Sequence, residues 1–242
     1  MRQGWTEAET RAERIDRQLA EVGWHVDSID FDSEDRPHQE KGGRVATERD
    51  EFERAVWRVM VAEEIDPERL VFVDECGTHT SLSPLYGYAP KGERLRLSVP
   101  RGRGNNTTLL SSMTVEGMGP TLAVEGATTA VVFGAYVERV LAPSLRKGQI
   151  VVMDNLGAHR PKRVRELIEE RDCELVYLPS YSPDLNLIEE AFAKIKNLLR
   201  KASARTKEAL VEAIGVALKA VSAQDARGFF EHAGYRRAAH LL

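Results

Sequence analysis

Two carboxylates that end apolar runs are the first candidates for chemistry. The sequences VFVDE (71–75) and VVMDN (151–155) each place an Asp after a short apolar run rich in β-branched residues. Open α/β sheets bind ligands at the carboxyl ends of their strands. If these two strands are neighbours, Asp74 and Asp154 lie side by side, and their charges repel unless a proton or a cation lies between them. Carboxylate oxygens are hard ligands that suit Mg²⁺ or Mn²⁺.

A third carboxylate follows a rigid turn. The sequence PSYSPDLNLIEE (179–190) predicts a turn that leads into a helix over 187–202. Glu189 falls in the first turn of this helix, at the edge of its buried face, where it can reach a strand-end site. Glu190 lies about 100° further round and is spaced to pair with Lys194 on a solvent-exposed face. The buried stripe comprises Ile188, Phe192, Ile195 and Leu199.

The same turn contains an Asn directly before the helix. Asn is among the preferred N-cap residues, because its side-chain oxygen accepts a hydrogen bond from a free backbone N–H of the first turn. We therefore expect Asn186 to cap the 187–202 helix.

Hydrophobic patterns predict the elements that position these residues. The predicted strands are 70–74, 95–99, 106–115, 121–124, 150–154 and 174–178, and the predicted helices from residue 130 onwards are 130–147, 161–171, 187–202, 205–221 and 223–233. Antiparallel strands followed by alternating helices and strands predict a mixed sheet with helices on its faces, an α/β fold.

The strand-end aspartates have other interpretations. A Walker B strand of a nucleotide hydrolase also ends in an Asp-Glu pair, but it requires a GxxxxGK[ST] loop upstream, and the sequence has none. Either Asp could instead cap a helix or form a turn. The residue pattern alone leaves this interpretation as open as the functional one.

Three motifs together resemble a known family. VFVDE, VVMDNLGAH and LPSYSPDLNLIEEAF are similar to the catalytic domain of mariner-superfamily DDE transposases, in particular their bacterial insertion-sequence branch, and the resemblance covers about 65–242. Asp154 and Glu189 are separated by 34 residues, the spacing of that family. Leu187 stands where the family usually has Pro, which we expect to reduce rigidity without affecting chemistry.

The resemblance implies a fold and a reaction. It implies an RNase H-like, mixed five-stranded sheet flanked by helices, with Asp74, Asp154 and Glu189 as a triad that holds two Mg²⁺ or Mn²⁺ ions. In that mechanism one ion activates water or a DNA 3′-hydroxyl, and the other stabilises the leaving 3′ oxygen. The implied function is cleavage and strand transfer of DNA at insertion-element ends. A homodimer and a bacterial, cytoplasmic, nucleoid-associated location follow from the same resemblance.

Several polar and basic residues are candidates for DNA contacts. Residues 190–242 hold 10 basic and 5 acidic residues, and beside a phosphodiester site such an excess favours phosphate binding over a merely solvated helix face. For His159, the alternative to a DNA contact is a structural hydrogen bond at the start of a helix. The candidates are Arg101, Arg103, Asn155, His159, Lys194, Lys196, Arg200 and Lys201.

Charge divides the chain into two parts. Residues 1–70 hold 11 basic and 19 acidic residues, whereas 71–242 hold 23 and 19. We expect an acidic helical extension over 1–64, with helices over 6–22 and 48–64 and a flexible linker over 27–46, followed by the catalytic domain over 65–242. Family members carry basic helix-turn-helix modules in front, so activity is expected to be impaired. A truncated, non-catalytic remnant that binds DNA weakly, or dimerises with a full-length copy, is the alternative function.

Composition limits the protein class. With 42% apolar and 30% charged residues, the 242-residue chain is typical of a globular protein, and no stretch approaches the roughly 20 apolar residues of a membrane helix. Cys76 and Cys173 have no metal-ligand spacing and are expected to be buried thiols in a reducing compartment.

Overall fold

A computed structural model of the chain describes residues 50–63, 65–84, 106–155 and 161–236. Several predictions lie outside these residues and stay predictions. They are the helix over 6–22, the linker over 27–46, the strand over 95–99, and the candidate DNA contacts Arg101, Arg103 and His159.

The described chain forms one mixed sheet. Its strands are β1 (Leu70–Thr78), β2 (Thr107–Thr114), β3 (Gly117–Met118), β4 (Leu122–Glu125), β5 (Ile150–Met153) and β6 (Glu174–Tyr177). The order is β3-β2-β1-β5-β6, and β4 also pairs with β2. The β1–β5 and β5–β6 pairs are parallel and the others antiparallel. The mixed sheet is confirmed, with six strands in place of five because the two-residue β3 forms at the turn between β2 and β4.

The helices lie close to their predicted positions. They are α1 (Glu51–Trp57, continued by a π-helical turn over Arg58–Glu63), α2 (Ala130–Tyr136, continued likewise over Val137–Leu141), α3 (Lys162–Glu169), α4 (Ile188–Ala202), α5 (Lys207–Lys219) and α6 (Ala223–His232). The helix predicted over 130–147 ends earlier, in a 3₁₀ turn at Ala142–Ser144, because Pro143 has no N–H to continue it. No helix of the described residues is long and apolar enough to cross a membrane.

Helices cover both faces of the sheet. Side chains of a strand alternate between faces, so Phe72 packs on one side of β1 while Val71 and Val73 pack on the other. The Phe72 side is covered by α1, α4, α5 and α6, and the opposite side by α2 and α3. By the same alternation, Asp74 follows Phe72 onto the face covered by α4. The two thiols, Cys76 and Cys173, are free and buried as expected.

Helix α1 contacts the turn that precedes α4. Arg54, of which only 3% is exposed, donates from Nη1 and Nη2 to the two carboxylate oxygens of Asp184 at 2.9 and 2.6 Å. The indole N–H of Trp57 donates to the Tyr235 hydroxyl, which donates to the Leu185 carbonyl, both at 2.8 Å. The helix predicted over 48–64 is therefore confirmed and packs directly on the region that contains the third carboxylate. The domain boundary after residue 64 stays a prediction.

We expect Arg54→Ala to lower the free energy of unfolding by about 2 kcal/mol, because it removes two charge-assisted hydrogen bonds from Asp184 and a buried side chain from the core. Urea unfolding at pH 7 measures the loss. The matched control is Arg58→Ala, since Arg58 lies 3.7 Å from the same carboxylate with 43% of its side chain exposed. That variant is expected to lose less than about 1 kcal/mol. Equal losses in the two variants would contradict the role given to the Arg54 pair.

Candidate active site

Parallel pairing of β1 and β5 brings the two strand-end aspartates together. The register places Val73 opposite Met153, so Asp74 and Asp154 each follow the last paired residue of the ladder. The carboxyl ends of parallel strands meet at one edge of a sheet, and both side chains therefore belong to the same end of the fold. Asn155 follows Asp154 at this edge and is partly buried.

Asp74 is held by hydrogen bonds on both carboxylate oxygens. Only 8% of the residue is exposed. Its Oδ1 accepts from the Glu75 backbone N–H at 2.7 Å, and its Oδ2 accepts from Nδ2 of Asn186 at 2.8 Å. These bonds fix the orientation of the carboxylate.

The predicted role of Asn186 as a helix cap is wrong. The residue at the N-cap position of α4 is Leu187, and no side chain caps the helix. The Asn186 side chain turns inward to Asp74 instead, while its backbone carbonyl accepts from the Glu189 N–H at 3.1 Å. The backbone of Leu187 has φ −61°, close to the value that Pro would impose, so the turn keeps this geometry without the family's proline.

Glu189 lies in the first turn of α4 and faces the same region. Glu189 is an exposed residue, yet partial removal of water from its carboxyl raises the pKa of Glu189. The positive charge of Lys196 acts in the opposite direction, and the negative charge of Asp154 raises the pKa further. The effect of Asp154 means that the second and third carboxylates are within electrostatic reach of each other.

Glu190 points away from this region. Its Oε1 lies 2.8 Å from Nδ1 of His232, on α6. Lys194 pairs with Asp225, also on α6, at 2.7 Å. The predicted Glu190–Lys194 pair is therefore wrong, because α6 packs alongside and supplies a nearer partner to each residue. This arrangement distinguishes the two adjacent glutamates and leaves Glu189 as the one that faces the strand ends.

A pocket of about 510 Å³ opens beside these carboxylates. Asp74 and Glu75 of β1 form one wall. One face of α4, which includes the basic side chains of Lys196 and Arg200, forms the other. The lining residues are Asp74, Glu75, Glu189, Phe192, Ala193, Lys196, Asn197 and Arg200. A cleft with carboxylates on one side and cations on the other can bind a cation and a phosphate group next to each other.

Glu75 is a lining residue that sequence reasoning missed. Its Oε2 is buried and has no hydrogen-bond partner among the described residues. Its position directly after Asp74 in the VFVDE motif could have indicated a role at the site. However, side chains alternate between the faces of a strand, which predicts that Asp74 and Glu75 point to opposite faces. The β1–β5 ladder ends at Met153, so among the described residues no strand pairs with β1 beyond Val73 on that side, and both side chains line the pocket.

The other predicted DNA contacts are divided between two faces of α4. Lys196 and Arg200 line the pocket, and Arg200 also donates from Nη1 to Oδ1 of Asn197 at 2.8 Å. Lys194 is engaged with Asp225, whose pKa is lowered to about 2 chiefly by its hydrogen bond with this lysine. Lys201 is exposed in the last turn and does not line the pocket.

The donor chemistry of the site suits a divalent cation. Within the described ranges, no three His, Cys, Asp or Glu side chains form a ready-made metal-binding group. The pocket is nevertheless lined by the carboxylates of Asp74 and Glu189 and by Glu75, whose Oε2 is unpartnered. Asp154 is not a lining residue, but it follows β5 at the same edge of the sheet as Asp74. Such donors fit Mg²⁺ or Mn²⁺.

Solved structures of Mos1 transposase share this architecture. A pre-cleavage Mos1 transpososome has a TM-score of 0.64 at 16% identity, over 95% of this chain and 76% of that one. The Mos1 mariner paired end complex with Mn gives 0.64 at 17%, over 97% and 77%, and the isolated catalytic domain of Mos1 mariner transposase gives 0.58 at 16%, over 82% and 92%. This likeness shows the RNase H-like fold.

Sequence comparison defines the family. No curated protein matches the chain. Residues 69–211, more than half of the chain, match the family described as DDE superfamily endonuclease, and this range contains all three predicted carboxylates. The chain therefore belongs to the DDE superfamily endonucleases.

Proposed function

We propose that this chain is the catalytic part of a DDE transposase, which cleaves DNA at the ends of an insertion element and joins the released 3′ end to a target. The observation that carries the proposal is a pocket with a basic wall that is lined by Asp74 and Glu189, at the edge of the sheet where Asp154 follows β5. Family membership supports the nuclease chemistry. The bacterial insertion-sequence branch, the homodimer and the nucleoid-associated location belong to the same proposal.

In this proposal Asp74, Asp154 and Glu189 hold the metal ions. Two Mg²⁺ or Mn²⁺ ions, when bound, activate the attacking oxygen and stabilise the leaving 3′ oxygen of an in-line displacement at phosphorus. Mos1 structures with Mn and with Mg are among the similar structures. The chain itself contributes orientation, because Asp74 is fixed on both oxygens and the first turn of α4 holds the backbone of Glu189. The raised pKa of Glu189 reflects partial desolvation and negative charge that a bound cation would offset.

Lys196 and Arg200 are proposed to hold the DNA backbone over the carboxylates. Both line the pocket on the same face of α4 as Glu189, since residues seven and eleven positions further along a helix return to nearly the same direction. A guanidinium or ammonium group at this position can pair with a phosphate oxygen. Asn155, at the strand edge, is proposed to contact DNA with them. A cation that binds a DNA phosphate releases counterions condensed on the DNA, so this binding weakens as the salt concentration rises.

We expect Asp74→Ala, Asp154→Ala and Glu189→Ala each to reduce metal-dependent nicking by at least about 1,000-fold, because each loses several kcal/mol of transition-state stabilisation. The measurement is nicking of supercoiled plasmid that carries the ends of the element, in Mg²⁺ or Mn²⁺, with a DNA-binding domain supplied in trans as a second condition. DNA binding, followed by gel shift, should persist in all three variants.

Glu190→Ala is the matched control for the third carboxylate. The neighbouring glutamate has the same charge but contacts His232 on α6, so its loss should leave nicking within about threefold of the unchanged protein, as for surface substitutions outside special features. Full activity of Glu189→Ala with loss in Glu190→Ala would refute the choice of residue. A chain that shows no metal-dependent nicking under either condition would favour the non-catalytic remnant.

Salt dependence separates the basic residues of α4. Lys196→Ala and Arg200→Ala are each expected to make the slope of the logarithm of the DNA association constant against the logarithm of salt concentration less steep by about one. This is the change expected for loss of one phosphate contact. Lys194→Ala is the matched control, because that lysine pairs with Asp225 and lies away from the pocket. Fluorescence anisotropy with labelled duplex measures the slopes. A change in slope for Lys194→Ala alone would place the DNA on the other face of the helix.

A further inference from the structure

We propose that Asn186 is a positioning residue that fixes Asp74 and Glu189 relative to each other, an inference that rests on the proposed function of these carboxylates. Asn186 touches neither the metal nor the DNA in this proposal. It acts through the two residues that it bonds, one on the central strand of the sheet and one on α4.

The two bonds of Asn186 link distant parts of the chain. Its side-chain Nδ2 donates to Oδ2 of Asp74, 112 residues away in sequence, at 2.8 Å. Its backbone carbonyl accepts from the N–H of Glu189 at 3.1 Å. Both Asn186 and Asp74 are more than nine-tenths buried, so water does not compete effectively for the bond between them. One residue thus fixes both a strand-end carboxylate and the first turn that holds its partner.

A purely structural role explains Asn186 poorly. Its Oδ1 is buried without a hydrogen-bond partner among the described residues, and such an atom destabilises a fold. The side chain does not cap α4, which would have used this oxygen as an acceptor. Leu has nearly the same shape as Asn but carries no polar atom. What Asn provides and Leu does not is the N–H donor to Asp74.

A neutral donor is the appropriate partner for a metal-binding carboxylate. An amide N–H orients the carboxylate oxygen through one lone pair and leaves the negative charge for a cation. An Arg or Lys in this position would pair with the charge and compete with the metal. The Glu75 backbone N–H, which binds the other oxygen of Asp74, is also uncharged.

The test compares Asn186→Ala with Asn186→Leu. Asn186→Ala removes both the donor and the volume, whereas Asn186→Leu removes the donor and keeps the shape. We expect Mn²⁺ binding, measured by electron paramagnetic resonance of free Mn²⁺, to weaken 10- to 100-fold in both variants, the range for loss of a group that orients a metal ligand. The Mn²⁺ concentration for half-maximal nicking should rise by the same factor. Thermal unfolding is expected to show Asn186→Leu at least as stable as Asn186→Ala.

Gln149→Ala is the matched control for loss of a buried amide. Gln149 is 6% exposed and accepts from the Arg146 N–H at 2.7 Å, at the amino end of β5, the opposite end from Asp154. This variant should lose stability and bind Mn²⁺ like the unchanged protein. A decrease in Mn²⁺ affinity that simply follows the melting temperature across all variants would overturn the inference.

The outcomes separate this inference from the proposed function. If Asp74→Ala does not weaken Mn²⁺ binding, the proposed metal site itself is wrong. If Asp74→Ala abolishes binding but Asn186→Leu binds Mn²⁺ like the unchanged protein, Asn186 only fills space and the inference fails while the proposed function stands. Should Asn186→Ala fail to fold, the Asn186→Leu result decides alone.

Discussion

The turn over 182–187 is the constraint on which the arrangement of carboxylates depends. It is held from three directions by parts of the chain that are far apart in sequence: by Arg54 of α1, by the Tyr235 hydroxyl near the end of the described chain, and by the Asn186 side chain that binds the central strand. Bonds with a charged partner contribute about 1.5–3 kcal/mol each, more than most neutral ones. Because Glu189 follows this turn directly, its backbone position depends on these contacts, and those of Arg54 and Tyr235 lie outside the pocket.

The sheet supplies the complementary constraint. Parallel pairing of β1 with β5 places Asp74 and Asp154 at one edge, and β5 ends there while β1 continues. The last residues of β1 therefore have no strand partner on the β5 side among the described residues, and Asp74 and Glu75 of β1 line the pocket. The negative charges at this edge repel one another, and the positive charge of the nearby Lys196 offsets part of that repulsion. The sheet therefore determines where the two aspartates lie, and α4 contributes the cation near them.

The parts of this structure that could be predicted are those with a local signal. Apolar strands and the stripe of α4 are periodic patterns, and the helical position of Glu189 relative to that stripe followed from the same geometry. The predicted cap at Asn186 is wrong because the preference for Asn at helix starts considers only adjacent residues, whereas the partner of its side chain is 112 residues away. The predicted Glu190–Lys194 pair is wrong for the same reason, because spacing along one helix carries no information about α6, which packs beside it.

Net charge is a poor guide to where DNA would bind on this chain. Residues 190–242 carry a clear basic excess, yet much of it is engaged elsewhere in the fold. Lys194 and Lys207 form ion pairs with acidic side chains, and Arg205 donates to backbone carbonyls that follow β1. Conversely, the acidic N-terminal part contributes α1, whose buried Arg54 helps to hold the turn before Glu189. Under the proposed function, phosphate attraction at the pocket depends on the few cations on one face of α4, because over such short distances position determines electrostatic energy more than the total charge does.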